Sequence, residues 1–460
     1  MAVWSTVSVS AIEYSRIDAE FYHPAYLSEL QSWRRLDENV GVTKLGRIIA
    51  APVRTGRTPT SRRIKGDEEC VHFVKTDTVR EGAIVFSNAA YLPARVVGDR
   101  DIIPDHAVLM TIIGATPEIV GRAAIVRPTD PICVTNQNVA VISTSSGFDP
   151  YFLTAYFQTK WGRDQVWRHS RRTEQVNLNC REVERVLVPN PAAECQEAIG
   201  GLVRDSFSCA DRSGALYRQA QALFEAELGL DKLTFQKPLG YAARFSTVNW
   251  SGTFLAGRVD AQCFAPDALF YENWLNAHTQ CDRLGTLLKG TAKGRQQADS
   301  IDGTIDYCSI KHITGRELLG ASKCFAQADA PLAGVDDLLL AITGATIGKI
   351  GIVKRYERLA FSGDLLCLRA AESIDPHYLL LALDHKIGQV QFNRWITGST
   401  NGHLAPRDVA RVLVPRLSDE TEAKIAELVR GSLIKRQESE QLLDQAKTCV
   451  EQLIEAAVQP

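Results

Sequence analysis

The sequence predicts two tandem mixed α/β (α+β) domains, each followed by a long helix, with the two helices pairing as an antiparallel coiled-coil spacer. Three observations predict this pseudo-two-fold fold: an internal repeat, short β-prone segments at the front of each copy, and a proline-free heptad stretch at the end of each copy. We expect a first domain at 1–190, a central spacer helix at 191–232, a second domain at 233–416 and a C-terminal spacer helix at 417–460.

The internal repeat extends over most of the chain. The segment RVLVP at 185–189 recurs unchanged at 411–415, which is 226 residues later, whereas Arg16 and Arg258 are 242 residues apart. Because loops tolerate insertions and packed scaffolds do not, we interpret the back halves as one scaffold used twice and the front halves as diverged surfaces. Neutral drift after duplication is the alternative. Other matches are Leu45 with Leu284, Gly56 with Gly294, Gly121 with Gly348, Asp149 with Asp375, and Trp167 with Trp395.

The front half of each copy contains short apolar segments separated by glycine, proline and aspartate, a pattern typical of a curved mixed sheet. Helical stretches with many apolar and aromatic residues follow at 151–167 and 378–395, and each leads through a polar loop into V-L-V-P. The predicted strand regions are 71–79, 82–86, 106–113, 123–126 and 138–142 in the first copy and 304–310, 337–342, 349–353 and 364–368 in the second.

A long helix is predicted after each V-L-V-P, because no proline occurs within 192–237 or 416–459. Apolar residues recur there at coiled-coil spacing, so the two helices can bury each other's stripes. Ser206 and Ser213 interrupt the first stripe, which leaves packing with a third partner open. The alternative is that each helix packs only on its own domain. The residues expected at the helix contacts are Leu202, Leu216, Leu223, Leu442 and Leu453.

Composition is that of an ordinary globular protein, with 45% hydrophobic and 23% charged residues among 460. No apolar run has the length of a membrane span, and the start of the sequence lacks the pattern of a secretory signal. The 11 cysteines are scattered without a CxxC pair, which argues against a disulfide framework or a zinc ribbon. We therefore expect a cytoplasmic protein without metal and without contact to membranes.

The net charge of −2 hides three basic runs at 54–65, 160–172 and 283–295. The distribution of charge, and not its sum, is what indicates a nucleic-acid surface. A solvated surface is the alternative for each run taken alone. Polar side chains in the loop before each V-L-V-P are either base-reading groups or caps for the next strand. The candidate DNA-binding residues are Arg54, Arg57, Arg62, Arg63, Lys65, Lys75, Arg168, Arg171, Arg172, Gln175, Lys289, Lys293, Arg295, Lys311, His312, Asn401 and His403.

Two observations refine this interpretation. Lys311 and His312 occupy the position of Asp77 and Thr78 in the other copy, a change of chemistry expected if two related domains read different sequences. No catalytic motif is recognisable, and the segment 344–349 (GATIGK) has the wrong spacing for a phosphate-binding loop. We expect it to form a strand–turn–strand, and we expect no catalytic residues and no cofactor bound by this chain.

The order of these elements, present twice, resembles the specificity (S) subunits of type I restriction–modification systems. The resemblance covers essentially the whole chain. It rests on RIDA at 16–19 with RVDA at 258–261, GRTP at 56–59, DLLLAITGATIGKIGIV at 337–353, and the polar loop leading to V-L-V-P and a long helix. The second copy lacks the proline of GRTP, and the first has extra residues at 115–120, so loop shapes there are expected to differ.

The resemblance implies two target-recognition domains, each reading half of a split sequence in double-stranded DNA, and a helical spacer that docks two modification (methyltransferase) subunits. S-adenosylmethionine would bind to those partners, which methylate adenine, and the chain itself would be non-catalytic. Restriction/translocase subunits are a further expected partner. A helix of about 35 residues is ~50 Å long, and one turn of B-DNA is ~34 Å, so such a spacer suits half-sites about a turn apart.

Three other functions remain as alternatives. The first is DNA recognition for a methylation-only or other phage-defence system without a nuclease. The second is a protein–protein adaptor, against which the basic runs count. The third is an enzyme in its own right, against which the lack of a nucleophile–base pair counts.

Overall fold

Two parts of the chain build separate hydrophobic cores in the computed structural model. The first unit comprises Met1–Ala210 with Gln437–Pro460, and the second comprises Asp211–Arg436. Each unit therefore contains one half of each long helix, whereas the four-segment division of the chain remains a prediction. The structure describes residues 4–9, 12–13, 16–59, 68–80, 82–116, 118–171 with the backbone of 172, 175–236, 238–242, 260–314, 316–318, 320–327, 329–398 and 401–459.

The first unit mixes short strands with helices, as predicted. Its helices are α1 (Pro24–Ser28), α2 (Leu30–Asn39), α3 (Pro150–Gln158), α4 (Lys160–His169), α5 (Cys180–Val183), the first half of α6 (Ala193–Glu227) and the second half of α11 (Asp419–Val458). Its strands are β1 (Val42–Lys44), β2 (Arg54–Thr55), β3 (Cys70–Val74), β4 (Ala90–Pro93), β5 (Val108–Thr111), β6 (Ile113–Gly114), β7 (Ala123–Ile125), β8 (Cys133–Thr135), β9 (Val139–Ile142), β10 (Arg171–Arg172), β11 (Val176–Asn177) and β12 (Leu187–Pro189).

The main sheet of the first unit has the strand order β2-β9-β5-β7 and is antiparallel. Along β5, Val108 and Met110 pack into one cluster of buried residues, and Leu109 packs into another on the opposite face. Both faces of this sheet are therefore covered, which explains why its strands are continuously apolar instead of alternating. The predicted segment 82–86 forms only isolated bridges, Gly82 with Ala124 and Ile84 with Val79.

The second unit repeats this plan. Its helices are α7 (Pro266–His278), α8 (Pro376–Asp384), α9 (Lys386–Trp395), α10 (Pro406–Val409) and the first half of α11 (Asp419–Val458), besides the second half of α6. Its strands are β13 (Cys281–Arg283), β14 (Leu288–Lys293), β15 (Ile305–Cys308), β16 (Ser322–Cys324), β17 (Leu332–Ala333), β18 (Leu338–Ala341), β19 (Ile350–Ile352), β20 (Leu359–Phe361), β21 (Leu365–Ala370) and β22 (Leu413–Pro415).

The main sheet here has the order β14-β21-β18-β19, and a second sheet has the order β16-β15-β20-β17. Leu338 and Leu340 pack on one face of β18, and Leu339 packs on the other. The segment after β18 has the expected strand–turn–strand form. It leads through a single 3-10 turn at Gly344–Thr346 into β19. The mixed α/β fold class with an internal repeat is thus confirmed.

The helix pairs α3/α4 and α8/α9 are matched at a constant separation of 226 residues, because α4 starts at Lys160 and α9 at Lys386. This register corrects one match made from the sequence. His169, and not Trp167, occupies the position of Trp395, and both of these side chains are 5% exposed. The two tryptophans lie on different faces of their helices, since they are two positions out of register.

Each unit contains an antiparallel contact between α6 and α11. In the first unit the Ser206 and Ser439 hydroxyls are 2.9 Å apart, and in the second unit the Ser213 and Ser432 hydroxyls are 3.1 Å apart. The serines that interrupt the apolar stripe of α6 therefore face serines of α11, and the two hydroxyls of each pair are hydrogen-bonded to each other. Leu202, Leu216, Leu223, Leu442 and Leu453 are half-buried.

The fully buried residues of these helices lie beside the leucine stripe. Val203 of α6 and Ala446, Val450 and Ile454 of α11 join the core of the first unit. Tyr217 and Phe224 of α6 join the core of the second unit. The long helices thus pack on the domains as well as on each other.

Candidate nucleic-acid interface

The basic loop of the first unit leaves the main sheet at Gly56. A Cβ atom at this position would lie 1.9 Å from the carbonyl oxygen of Thr135 at the end of β8. Only glycine permits this crossing, because no side chain fits between the two backbone segments. Arg57 therefore emerges at a fixed place beside the end of β8.

Arg57 is bound by an aspartate from another loop. Its Nε lies 2.8 and 2.9 Å from the two carboxylate oxygens of Asp101, and its Nη2 donates to the carbonyl of Val96 at 3.0 Å. The hydrogen bonds from Arg57 lower the pKa of Asp101 to about 2. Next to it, the Thr58 hydroxyl donates to Oε1 of Gln137 at 2.7 Å.

The second unit repeats this arrangement with different residues. A Cβ atom at Gly294 would lie 2.3 Å from the carbonyl oxygen of Phe361. Arg295 donates from Nη1 to Oδ1 of Asp329 at 2.7 Å, and the Ser362 hydroxyl donates to Oε1 of Gln296 at 3.0 Å. Sequence reasoning selected both arginines but missed both aspartates, because neither lies near its arginine in the chain.

The rest of the first basic run is only partly described. Arg54 donates from Nη2 to the carbonyl of Ile102 at 2.9 Å, so it lies on the same edge as Arg57. Arg62, Arg63 and Lys65 lie outside the described residues.

The predicted match of Thr78 with His312 agrees with their hydrogen bonds. Thr78 accepts from the backbone N–H of Lys75 at 3.0 Å, and His312 accepts through Nδ1 from the backbone N–H of Ser309, also at 3.0 Å. Burial lowers the pKa of His312. Lys311 is exposed and lies 3.1 Å from Asp299.

Arg168 and its match in the second copy, Arg394, both have contacts that hold the scaffold. It stacks over the ring of Phe21 at 4.5 Å and donates from Nε to the Phe21 carbonyl at 3.4 Å. Its match Arg394 donates from Nε to the carbonyl of Cys263 at 2.7 Å. Burial lowers the pKa of Arg168. The constant separation of 226 residues is the signal that would have identified this role.

The polar loop before β12 begins with a paired arginine. Arg171 donates from Nε to the buried Glu182 at 2.6 Å, a hydrogen bond that raises the pKa of Arg171. Arg172 follows in β10, and Gln175 is exposed immediately before β11. In the second unit Asn401 is exposed in the matching loop.

The two polar loops pair with their sheets in the same register. Asn177 is opposite Ile113, and His403 is opposite Thr343. Their backbones therefore have a structural role, and their side chains remain the candidates for contact with bases.

The basic run of the second unit continues along an edge strand. Lys289 and Lys293 are exposed at alternate positions of β14, which forms the edge of the main sheet. Charged side chains on an edge strand also prevent pairing with other chains, so this position has a structural explanation besides DNA contact.

A difference between the units that sequence reasoning missed lies on the smaller sheets. His72 of β3 is opposite Tyr91 of β4, with ring centroids 4.8 Å apart. At the matching place in the second unit, Asp306 of β15 is opposite Lys323 of β16, with 2.9 Å between carboxylate and ammonium. An aromatic pair and an ion pair thus occupy equivalent surface positions.

The described residues contain no group of three or more metal-ligating side chains of the His, Cys, Asp or Glu types. Burial raises the pKa of the Cys133, Cys308 and Cys367 thiols to about 12, so these sulfurs stay protonated at neutral pH. Within the described part of the chain, no helix has the length and apolar character that crossing a membrane requires.

No protein-family model matches the chain, and no curated protein matches its sequence. Solved structures of type I restriction–modification S subunits are among its structural neighbours. An S subunit from M. genitalium has 12% identity and a TM-score of 0.44, with 92% of this chain and 97% of that chain aligned. The HsdS subunit from Thermoanaerobacter tengcongensis has 16% identity and a TM-score of 0.28, with 90% and 96% aligned.

Proposed function

We propose that this chain is the DNA-recognition subunit of a type I restriction–modification complex. Each unit reads one half of a bipartite target in double-stranded DNA, and the paired helices dock two methyltransferase subunits. Catalysis and S-adenosylmethionine binding belong to those partners, and restriction/translocase subunits join the same assembly.

The observation that carries this proposal is a scaffold used twice beneath two different surfaces. Asp149 caps α3 and receives Arg204 of α6 at 3.0 Å, and Asp375 caps α8 and receives Arg430 of α11 at 2.7 Å. These contacts build the same framework in both units. At matched surface positions the residues differ, as with the aromatic pair at His72 and the ion pair at Asp306. A protein that reads two unrelated half-sites needs this combination of a common frame and unlike contact residues.

The distribution of basic residues supports DNA as the ligand. In both units the loop after the strand-crossing glycine and its neighbouring polar side chains leave one end of the main sheet, and in the second unit Lys289 and Lys293 are exposed along the edge strand that leads into this loop. Basic groups supply affinity through phosphates, and sequence is read through base edges. Binding of the assembled complex should therefore weaken steeply with salt, and a salt-independent partner would favour the adaptor alternative.

Native DNA sequenced by a methylation-sensitive single-molecule method, from cells with and without this gene, tests the proposal. We expect a split adenine-methylation motif that disappears on deletion of the gene. A motif that persists in the deletion strain would contradict the proposal. Purification of the tagged chain then distinguishes a methylation-only system from one with a nuclease, according to whether restriction/translocase subunits are recovered with it.

A further inference from the structure

We propose that the ion pairs Arg57–Asp101 and Arg295–Asp329 are loop clamps, in which the aspartate positions the basic loop through the arginine. The arginines then act as positioning residues, and the bases and phosphates are contacted by other residues of the two units. This inference rests on the proposed function, and it changes the role that the sequence suggests for both arginines.

The geometry of the first clamp uses most of the guanidinium donors. Arg57 directs Nε and Nη2 at the two carboxylate oxygens of Asp101 and also donates to the Val96 carbonyl. Bidentate reading of guanine requires two parallel N–H donors on one edge of the guanidinium. In this arrangement Nη2 is engaged on both sides, so Arg57 cannot present that edge without leaving Asp101 or Val96.

An Arg–Asp pair is present in both units although the loops between its members differ in length; in the second unit it is a contact from Nη1 of Arg295 between two exposed side chains. Arg57 and Asp101 are 44 residues apart, and Arg295 and Asp329 are 34 residues apart. A contact made by chance at the surface would not be expected to survive a change of ten residues in the loop that separates its members. Retention of the pair indicates that the loop base must be held in both copies, whatever the sequence of the loop.

The clamp also accounts for a carboxylate beside a surface proposed to bind DNA. Asp101 stays ionised at neutral pH, since its pKa is about 2. An unpaired carboxylate at that place would repel phosphate. Arg57→Ala therefore weakens DNA binding in two ways, by releasing the loop and by exposing Asp101, even though Arg57 does not contact the DNA.

A charge reversal distinguishes a clamp from a DNA contact. The full-length chain, co-expressed with its methyltransferase subunits, is assayed for discrimination between its own split target and targets changed in one half. We expect Arg57→Ala and Asp101→Ala each to reduce discrimination at one half-site by about tenfold, in the range of coupled contact pairs. The double variant R57D/D101R should recover most of that loss.

The second unit supplies the matched control. Arg295→Ala, Asp329→Ala and R295D/D329R should give the same pattern at the other half-site and leave the first half-site unchanged. If Asp101→Ala has no effect or tightens binding, and R57D/D101R is as poor as Arg57→Ala, then Arg57 contacts DNA and the inference is wrong.

Hydrogen exchange provides a readout that does not depend on DNA. The amides of 54–58 should exchange faster in Arg57→Ala and Asp101→Ala than in the wild type, and R57D/D101R should restore their protection. Unchanged exchange in both single variants would overturn the clamp. A wild-type complex without any split-site preference would instead overturn the proposed function, so the two failures are distinguishable.

Discussion

The back halves of the two copies are held by the same contacts, whereas exposed side-chain pairs on the sheets of their front halves differ in chemistry. Gln165 accepts a hydrogen bond from the Leu187 backbone N–H, and its match Gln391 accepts one from Leu413. In the front halves, an aromatic pair at His72 corresponds to an ion pair at Asp306. Where a contact holds the frame, both copies keep it, and where a side chain only covers the surface, its chemistry has changed.

The largest expected effect compares how much two matched scaffold arginines, Arg394 and Arg168, contribute to the free energy of unfolding. Arg394 is 6% exposed and is paired with Glu272, so Arg394→Met leaves a carboxylate poorly solvated and should cost about 3–5 kcal/mol of unfolding free energy. Arg168→Met, which removes one long hydrogen bond and the stack over the Phe21 ring, should cost about 1–2 kcal/mol. Urea titration of both variants measures the difference, and equal losses would contradict the comparison.

The next prediction concerns the pH dependence of stability, which His169 of the first unit should cause. Burial, together with nearby Arg168 and Arg16, lowers the pKa of His169 to about 3. The unfolded chain binds this proton near pH 6.5, so stability should fall as pH decreases from 6.5 toward 3, by up to ~1.4 kcal/mol per pH unit. His169→Phe, which imitates the aromatic Trp395, should reduce that slope. An unchanged slope in the variant would assign the acid sensitivity to other groups.

Replacement of either of two matched glycines by alanine should reduce stability by a similar and smaller amount. A Cβ atom at Gly162 would lie 2.3 Å from the Tyr156 carbonyl oxygen, and one at Gly388 would lie 2.6 Å from that of Ala382. Replacement of either glycine by alanine should cost about 1–3 kcal/mol. Gly201→Ala is the control, because no atom outside its chain neighbours and its own helix backbone would lie within 4 Å of the new Cβ, and it should stabilise α6 by up to ~1 kcal/mol. Thermal unfolding of the three variants measures these signs.

The smallest effect on stability should accompany a change of specificity. Replacing Asp306 and Lys323 by the His72 and Tyr91 types (D306H/K323Y) exchanges one cross-strand pair for another and should alter stability by only about 0.2–1 kcal/mol. If the small sheets contribute to reading, the methylated motif should change in one half only. A motif unchanged in both halves would place reading elsewhere on the units.

The repeat allowed most of the fold to be predicted, because a matched V-L-V-P and a proline-free heptad stretch are local patterns. The candidate site was predictable only in part. Arg57 was visible as a basic residue after a glycine, but Asp101 is brought to it by pairing of strands that lie far apart in the sequence. Likewise, charge alone could not distinguish Arg168, which stacks on Phe21, from a solvent-facing arginine.

The division of the chain has a consequence for synthesis on the ribosome. The second unit is continuous from Asp211 to Arg436, whereas the first unit also requires the segment that starts at Gln437. Ala446, Val450 and Ile454 complete its core, so the domain translated first is the one whose core closes last. At ~5–20 residues per second, its exposed apolar surface lasts until the second unit has emerged, on the order of tens of seconds. Chaperone dependence of expression is therefore expected to concentrate in the first unit.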